Sequence, residues 1–203
     1  MPHKLQRDFN ITELDADLLS TPYGVQTSWH AITGAPCSGK TTLIGALGNR
    51  GFRTVPESGR AYVTREMAQG RTTDELLGDG AGLQRGVLDL QLRSERRLPV
   101  NEVAFLDSAS PNGLAYLRIM GLNPNALLAE CFHHRYASVF LLDRFPFQKD
   151  GLRFEDDATA SFIDEWLFRD YSALGYSVVR VPVLSIEDRL TFILERLSEQ
   201  GLL

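Results

Sequence analysis

The stretch ITGAPCSGKTTLIGAL, residues 32–47, places a glycine-rich turn between a β-branched apolar entry and a leucine-rich exit. This order predicts a strand, a tight turn and a helix. The turn from Gly34 to Thr41 fits the pattern G-x-x-x-x-G-K-[ST] at every fixed position. Average residue usage would produce such a match by chance in only about one chain of this length in a hundred. The turn is therefore predicted to be a phosphate-binding loop, or P-loop.

Each fixed position of the loop has a physical role in holding phosphate. Gly34 and Gly39 permit backbone angles and a close approach that a Cβ atom would block. The successive backbone N–H groups then form a nest for anions, to which the helix N-terminus adds its positive end. Lys40 supplies a mobile cation for the β- and γ-phosphates, and the Thr41 hydroxyl is a ligand for Mg²⁺. We therefore expect a nucleoside triphosphate, ATP or GTP, together with Mg²⁺. The predicted nucleotide-binding residues are Gly34, Ala35, Pro36, Cys37, Ser38, Gly39, Lys40, Thr41 and Thr42.

The composition is that of one ordinary globular domain. The chain has 203 residues, 43% of them hydrophobic and 23% charged, which suffices for one substantial core. The net charge of −5 argues against broad capture of nucleic acid or of an anionic membrane surface. No apolar run reaches the roughly 18 residues that a membrane span needs, and the N-terminus is too polar for a secretory signal. Of the two cysteines, Cys37 lies inside the loop, where a disulfide would distort the turn. Reduced thiols and a cytoplasmic location are therefore expected.

Apolar runs that alternate with amphipathic stretches predict the fold class. Strands are predicted at 28–33, 52–55, 103–107, 138–143 and 176–182, and helices at 41–47, 83–98, 126–136, 158–174 and from Ser185 onward. This alternation predicts an α/β fold, a three-layer sandwich with a central five-stranded parallel sheet. Residues 1–27 are interpreted as an N-terminal extension and residues 28–203 as one NTPase domain. The polar run at about 144–157, just after a strand end, is interpreted as a small lid.

A carboxylate at the end of a neighbouring strand is expected to complete the magnesium site. Asp107 follows the apolar run 103–106, and Asp143 follows the similar run 139–142. An aspartate at a strand end also serves as a helix cap or a turn former. We favour Asp107 as the residue that holds the magnesium shell and keep Asp143 as the alternative.

Signatures of several P-loop classes are missing from the sequence. It has no N-K-x-D motif of Ras-like GTPases and no L-S-G-G-Q motif of transporter ATPases. Too few residues follow the last predicted strand for the helical second domain of hexameric AAA+ machines. A small kinase-like domain with a lid is the class that is left.

Four motifs resemble the P-loop kinase-like domain of ribosylnicotinamide kinases and of the small AAA ATPases related to them. They are the loop at 34–41, VPESGR at 55–60, FLDSASPNGLAYLRIMG at 105–121 and DRFPFQKDGLR at 143–153. The resemblance covers roughly residues 30–200. It implies that Glu57 faces the acceptor substrate and accepts a hydroxyl proton during phosphoryl transfer, and that Arg60 binds a substrate oxyanion. The alternative for both residues is an exposed surface turn.

The same resemblance implies a lid and one wall of the acceptor pocket. Arg153 would swing onto the transferring phosphate, Asp150 would form the lid turn, and the nearby helpers would be Arg144 and Lys149. A basic, solvated loop is the alternative for this segment. Gln84, on the predicted helix 83–98, would line the acceptor pocket, and a solvated polar face is the alternative there.

The sequence departs from the family pattern at two places. The chain has Asp107-Ser108-Ala109 where relatives have Asp-Arg-Gly, and Asn112 where a second acid is expected. These departures concern the acceptor and leave the nucleotide-binding loop untouched. The acceptor of the relatives is therefore not carried over to this chain.

The sequence as a whole predicts an ATP- and Mg²⁺-dependent phosphotransferase that acts on a small, nucleoside-like acceptor. The catalytic residues would be Lys40, Glu57, Asp107 and Arg153. A nucleotide-dependent switch without an acceptor, using ATP or GTP, is the alternative. A nucleic-acid end kinase is disfavoured by the acidic balance and by the lack of a basic stripe with aromatic residues. The sequence carries no signature of an oligomeric state, and the segment 182–188 has no motif that separates ATP from GTP.

Lys40→Ala is expected to abolish tight triphosphate binding and to leave the fold intact. Hydrogen bonds to charged groups contribute about 1.5–3 kcal/mol, so the affinity should fall by roughly tenfold to a hundredfold or more. Titration calorimetry with a non-hydrolysable triphosphate measures this change, and Lys4→Ala, outside every motif, is the control. An unchanged affinity would refute the assignment of the loop.

Overall fold

The computed structural model of the protein describes residues 8–146 and 156–203. The strands are β1 (Val25–Gln26), β2 (Trp29–Thr33), β3 (Arg53–Val55), β4 (Ala104–Asp107), β5 (His134–Arg135), β6 (Ser138–Leu142) and β7 (Val178–Val181). The helices are α1 (Ala16–Leu19), α2 (Lys40–Asn49), α3 (Ser58–Ala68), α4 (Thr73–Gly78), α5 (Gly80–Glu95), α6 (Asn112–Ile119), α7 (Asn125–Leu128), α8 (Asp157–Ala173) and α9 (Ile186–Glu199). A 3₁₀ turn over Ala129–Phe132 follows α7.

Five of these strands form one parallel sheet in the order β3-β4-β2-β6-β7. All five were predicted as strands, and the predicted α/β fold class is confirmed. Because the strands are parallel, their carboxyl ends meet at one edge of the sheet. In the register of β2 and β4, Ile32 lies opposite Asp107, so the loop after β2 begins beside the carboxyl end of β4.

Alternate residues of the central strands pack into two separate hydrophobic layers. On one face of the sheet, residues such as Trp29 and Leu141 pack against α5, α6 and α8. On the other face, Ile32 and Phe140 pack against α2 and α9. The sheet is thus covered on both faces, which explains why its strands read as continuous apolar runs rather than as an alternating pattern.

Side-chain caps begin several of the helices. Ser185, from which the last helix was predicted, precedes α9 and accepts a hydrogen bond from the Asp188 backbone N–H at 3.2 Å. Asp156 caps α8 through the Thr159 N–H at 2.9 Å. Two further helices, α3 and α4, precede α5, and Thr72 begins α4 with a capping box.

The helix predicted over 126–136 is wrong beyond its first turns. The chain forms the short helix α7 and a 3₁₀ turn, and then becomes strand β5. Strand β5 pairs in parallel with β1, so that Val25 lies opposite His134. Its partner therefore comes from the segment interpreted as an N-terminal extension, more than a hundred residues away, and local periodicity cannot report such a pairing. Helix α6 was also missed, because the Pro111-Asn112-Gly113 run that begins it has the composition of a turn.

The described part of the N-terminal extension, residues 8–27, packs on the domain. Leu14, Leu18, Leu19 and Tyr23 contact the core layer formed with α6 and α8. The boundary between an extension at 1–27 and a domain at 28–203 stays a prediction. Within residues 8–146 and 156–203, no helix combines the length and the apolar character needed to cross a membrane.

A buried ion pair joins helices α6 and α8 beneath this segment. The guanidinium of Arg118 is fully buried and lies 2.8 Å from the Asp170 carboxylate. It also stacks on Trp166, 3.6 Å from the ring centre, and donates to the Thr12 carbonyl. Burial raises the pKa of Asp170, whereas an arginine keeps its proton at any ordinary pH. Both charges are removed from water, and each is therefore stabilised mainly by the opposite charge of its partner.

Asp170→Asn is expected to lower the free energy of unfolding by about 3 kcal/mol or more, because it leaves the Arg118 charge buried without a carboxylate. Urea unfolding at neutral pH measures the change. The control is Glu165→Gln, which removes an exposed pair with Arg169 on the same helix and should cost about 0.5 kcal/mol or less. Equal losses in the two variants would contradict this account of the pair.

Candidate functional site

The glycine-rich loop adopts the backbone conformation that its glycines permit. Gly34 has a φ of 153°, and a Cβ there would lie 2.6 Å from the Ser38 hydroxyl and 2.9 Å from the Leu142 carbonyl oxygen. Gly39 has a φ of 83° and begins helix α2 from the left-handed region. Both positions would thus be strained by any other residue. Cys37, at a φ of 65°, is in the left-handed region without being glycine, and such residues concentrate at ligand sites.

Lys40 extends back across the loop from the first turn of α2. Its ammonium donates to the Gly34 carbonyl at 2.6 Å and to the Ala35 carbonyl at 3.2 Å. The cation therefore lies against the loop, where two backbone carbonyl oxygens accept its hydrogen bonds.

Thr41 and Asp107 are in contact, as the sequence predicts for a pair that holds one metal ion. The Thr41 hydroxyl donates to Asp107 Oδ2 at 3.1 Å, and the other carboxylate oxygen is buried without a hydrogen-bond partner in the described part of the chain. Burial raises the pKa of Asp107 to about 6, the positive charge of Lys40 lowers it, and the negative charge of Glu57 raises it. A buried carboxylate with one oxygen free of hydrogen bonds, beside a hydroxyl, is suited to a hard cation.

Asp143, the rival of Asp107, is engaged elsewhere. Its carboxylate accepts from Arg180 at 2.8 Å on the neighbouring strand β7. Arg180 also contacts Asp164 of α8 at 2.9 Å. Asp143 thus belongs to a surface ion-pair network rather than to the loop's hydroxyl, and the geometry favours Asp107.

Glu57 and Arg60 share a cavity with the loop. Its volume is about 240 Å³, and its lining residues are Thr41, Ile44, Pro56, Glu57, Arg60, Ala61 and Asp107. Glu57 immediately precedes α3, and Arg60 lies in the first turn of that helix. Within residues 8–146 and 156–203, neither side chain takes part in a hydrogen bond or an ion pair, so both remain available to a ligand in the cavity.

Two of the other predicted site residues, Gln84 and Arg144, do not line this cavity. Gln84 is buried on α5, where its amide contacts the Met120 sulfur at 3.9 Å, so the alternative of a solvated polar face is wrong for this residue. Its assignment to substrate binding stays a prediction. Arg144 contacts Asp157 at 3.0 Å and the Ser161 hydroxyl at 2.9 Å at the start of α8. The other three predicted lid residues, Lys149, Asp150 and Arg153, lie outside the described residues.

Asn112, where the family pattern has an acid, has a structural role. Its side-chain oxygen accepts from the Tyr171 hydroxyl at 2.7 Å, the Thr33 hydroxyl at 3.1 Å and the Ala109 N–H at 3.3 Å. These three donors come from α8, the end of β2 and the segment after β4. The amide oxygen therefore joins the elements behind the loop, and it is buried.

A buried polar chain behind α3 was missed by the sequence analysis. The Ser58 hydroxyl donates to Gln91 at 2.7 Å, and the Gln91 amide donates to Glu95 at 2.9 Å. Glu95 is fully buried and also contacts the Tyr136 hydroxyl and the His134 ring, each at 2.9 Å. This chain holds the residue that follows Glu57 against α5 and β5. The available signal was a glutamate at helical spacing from the apolar positions of α5.

Arg189 was also missed by the sequence analysis. It is fully buried, and its guanidinium donates to backbone carbonyls beside the loop, among them that of Ser38. The available signal was an arginine at position 189 within the apolar stripe of α9, between Ile186 and Ile193. The Ser108 backbone was missed as well, since its φ of 69° directly after Asp107 has no sequence signature.

The sheet order, the loop between β2 and α2 and the acid at the end of β4 together define a P-loop fold of the nucleoside- and nucleotide-kinase-like type. The family model described as AAA domain matches residues 29–189, most of the chain. The chain belongs to this family of AAA domains, and the family resemblance inferred from the motifs is confirmed. The comparison with curated proteins gives no match.

Solved structures with the same fold include two of NadR and one of a nucleoside kinase. The NadR protein in complex with NR is 24% identical with a TM-score of 0.58, over 76% of this chain and 45% of NadR. The NadR protein with NAD and AMP-PNP is 21% identical with a TM-score of 0.60, over 86% of this chain and 50% of NadR. Deoxyadenosine kinase from M. mycoides, with products dCMP and dCDP, is 11% identical with a TM-score of 0.61, over 84% of this chain and 98% of that kinase. The chain thus spans about half the length of NadR.

The metal-free protein is expected to lose stability as the pH rises through the pKa of Asp107. That pKa is about 6 in the folded protein and 3.8 for an ordinary aspartate, so protonated Asp107 favours the fold. This contribution is complete below about pH 3.8 and lost above about pH 6. Asp107→Asn should therefore gain on the order of 2–3 kcal/mol relative to the native protein between pH 4 and pH 7.

Urea unfolding of both proteins at several pH values, with a metal chelator present, measures this difference. The variant retains an uncharged side chain of the same shape, so only the titration is removed. A difference in unfolding free energy that does not vary with pH would contradict the assigned burial of the carboxylate.

Proposed function

We propose that the protein is a phosphotransferase that moves the γ-phosphate of ATP or GTP to a hydroxyl group of a small acceptor. The observation that carries this proposal is a single cavity whose walls include Thr41 and Asp107 on the loop side and Glu57 and Arg60 on the other side. A triphosphate on the loop would thus meet an acceptor held by α3. The proposed donor-binding residues are those of the loop, 34–42, with Lys40 as the residue that neutralises charge on the transferring phosphate.

Two residues fit the role of magnesium ligands. Asp107 offers a buried carboxylate oxygen that has no hydrogen-bond partner among the described residues, and the hydroxyl of Thr41 adjoins the other oxygen. The described part of the chain has no group of three His, Cys, Asp or Glu side chains that could hold a metal by themselves. Mg²⁺ commonly takes one or two protein oxygens and completes its shell with phosphate and water. When bound, it would neutralise negative charge between the β- and γ-phosphates.

Glu57 is the proposed base, and Arg60 the proposed anchor for an anionic part of the acceptor. The Glu57 carboxylate is half-buried and has no partner among residues 8–146 and 156–203, so it can accept the proton of an acceptor hydroxyl. The exposed guanidinium of Arg60, one helical turn further on, can bind a phosphate or carboxylate of the same molecule. A nucleoside-like acceptor agrees with the NR bound to NadR and the dCMP product bound to deoxyadenosine kinase. Arg153 is retained as the proposed lid residue that contacts the transferring phosphate.

Glu57→Gln is expected to lower turnover by about a hundredfold or more, the usual scale for one acid–base group. Its affinity for a non-hydrolysable triphosphate should change little, because the Glu57 contact is made with the acceptor. The acceptor is found first, by a transfer screen with labelled ATP and GTP against nucleosides and other hydroxyl metabolites. Glu66→Gln is the matched control, since this glutamate lies on the same helix and pairs with Arg65.

Two outcomes would refute the proposal. Full turnover by Glu57→Gln would remove this residue from the chemistry. A screen without any acceptor, combined with an Arg153→Ala variant that loses its preference for triphosphate over diphosphate, would identify a nucleotide-dependent switch.

A further inference from the structure

The described chain contains two arginines that are fully buried, and their surroundings differ in one respect. Arg118 is paired with the Asp170 carboxylate at 2.8 Å. The polar contacts of Arg189 are to backbone carbonyls: its Nε donates to Pro182 at 2.9 Å, and its Nη2 to Asp143 at 2.9 Å. Its Nη1 donates to the carbonyl of Ser38. Arg118 thus has a counter-charge in the fold, whereas among the described residues Arg189 contacts the partial charges of three peptide groups and no carboxylate.

A buried guanidinium without a carboxylate is unfavourable, because the carbonyls replace only part of its hydration. Burial accordingly lowers the pKa of Arg189, and the negative charge of Asp143 raises it. The carboxylate of Asp143, however, accepts a hydrogen bond from Arg180 at 2.8 Å, and only its backbone carbonyl contacts Arg189. The positive charge of Arg189 is therefore incompletely balanced by residues 8–146 and 156–203.

The three carbonyls that Arg189 contacts belong to three different segments. Ser38 lies in the glycine-rich loop, Asp143 follows β6, and Pro182 follows β7. A further bond between the same segments runs from the Phe145 N–H to the Cys37 carbonyl at 3.0 Å. The guanidinium thus ties the loop to the carboxyl ends of the two strands beside it.

The position of the charge is directly below the phosphate-binding turn. Arg189 Nη1 is 3.4 Å from the point that a Cβ on Gly39 would occupy. The Phe145 ring covers the guanidinium from the side, with 4.8 Å between its centre and the guanidinium carbon. The ring and the loop therefore separate the charge from bulk water, so its field is screened little by solvent or salt.

We propose that Arg189 is a positioning residue whose missing counter-charge is the phosphate chain of the ligand. It holds the loop through three backbone carbonyls, and its fixed charge favours a polyphosphate on the other side of the loop. The proposal rests on the proposed function, because it needs a phosphate ligand at residues 34–42. Arg189 would be a second cation at this site besides Lys40, and Arg189 contacts the loop itself rather than the phosphates.

A pair of variants separates the charge from the hydrogen bonds. Arg189→Lys keeps the charge, whereas Arg189→Gln removes it and keeps an N–H donor for a carbonyl. The probe is inorganic tripolyphosphate, which has no base or sugar, with ADP as a second ligand. Calorimetry at low salt and at about 0.5 M salt gives the affinities, at a temperature where circular dichroism shows each variant folded. Arg118→Met is the matched control for the loss of a buried arginine.

Arg189→Gln is expected to bind tripolyphosphate at least about tenfold more weakly than Arg189→Lys, at both salt concentrations. Arg118→Met should lower the thermal midpoint and leave the affinity within about twofold of the native value. If Arg189→Gln is unfolded without ligand, the proposal requires that tripolyphosphate raise the thermal midpoint of Arg189→Lys as in the native protein.

Three results would overturn the proposal. Equal affinities of the lysine and glutamine variants would show that the charge has no part in binding. A difference that vanishes at high salt would reveal a screened, long-range effect. Failure of tripolyphosphate to raise the thermal midpoint of Arg189→Lys would show that a positive charge at position 189 has no part in binding. If the native protein binds neither tripolyphosphate nor ADP, the proposed function fails as well, and this result is distinct from the other three.

Discussion

The register between strands β2 and β4 is the constraint on which the candidate site depends. Because the strands are parallel and Ile32 lies opposite Asp107, the loop that leaves β2 begins beside the acid that ends β4. A shift of one residue would turn the Asp107 side chain to the opposite face of the sheet. The contact of 3.1 Å between Thr41 and Asp107 then follows from the register and from the left-handed turn at Gly39. The apolar layers on the two faces of the sheet stabilise that register.

Much of the buried charge is placed at or near the carboxyl edge of the sheet. Asp107 is buried beside the loop, Arg189 lies below it, and Glu95 is buried behind α3. Buried charges contribute little to stability by themselves, since their desolvation offsets the attraction between them. Of these three residues, Asp107 lines the cavity beside the loop. The Arg118–Asp170 pair, on the side of the N-terminal segment, has its two charges paired with each other.

The cavity beside the loop combines contacts of two kinds. On the loop side, a hydrogen bond from Thr41 holds the Asp107 carboxylate in place without any ligand. On the α3 side, Glu57 and Arg60 lack partners among the described residues, so this half of the cavity stays open to a ligand. The polar chain from Ser58 through Gln91 to Glu95 fixes the beginning of α3 and thereby the positions of both side chains. A rigid backbone with unpartnered side chains is a suitable arrangement for discriminating between small molecules.

The amino-acid sequence by itself determined the loop, the five strands of the main sheet and the fold class. These features are local, because glycine spacing, apolar runs and caps such as Ser185 act within a few residues of one another. Only the tertiary structure shows that Asp107 contacts Thr41 whereas Asp143 pairs with Arg180, because both aspartates end similar apolar runs and differ only in what lies beside them. It also shows that part of the predicted helix 126–136 is a strand and that Arg189 lies against the loop. Those outcomes depend on partners about a hundred residues or more away along the chain, and the periodicity of one segment carries no information about such partners.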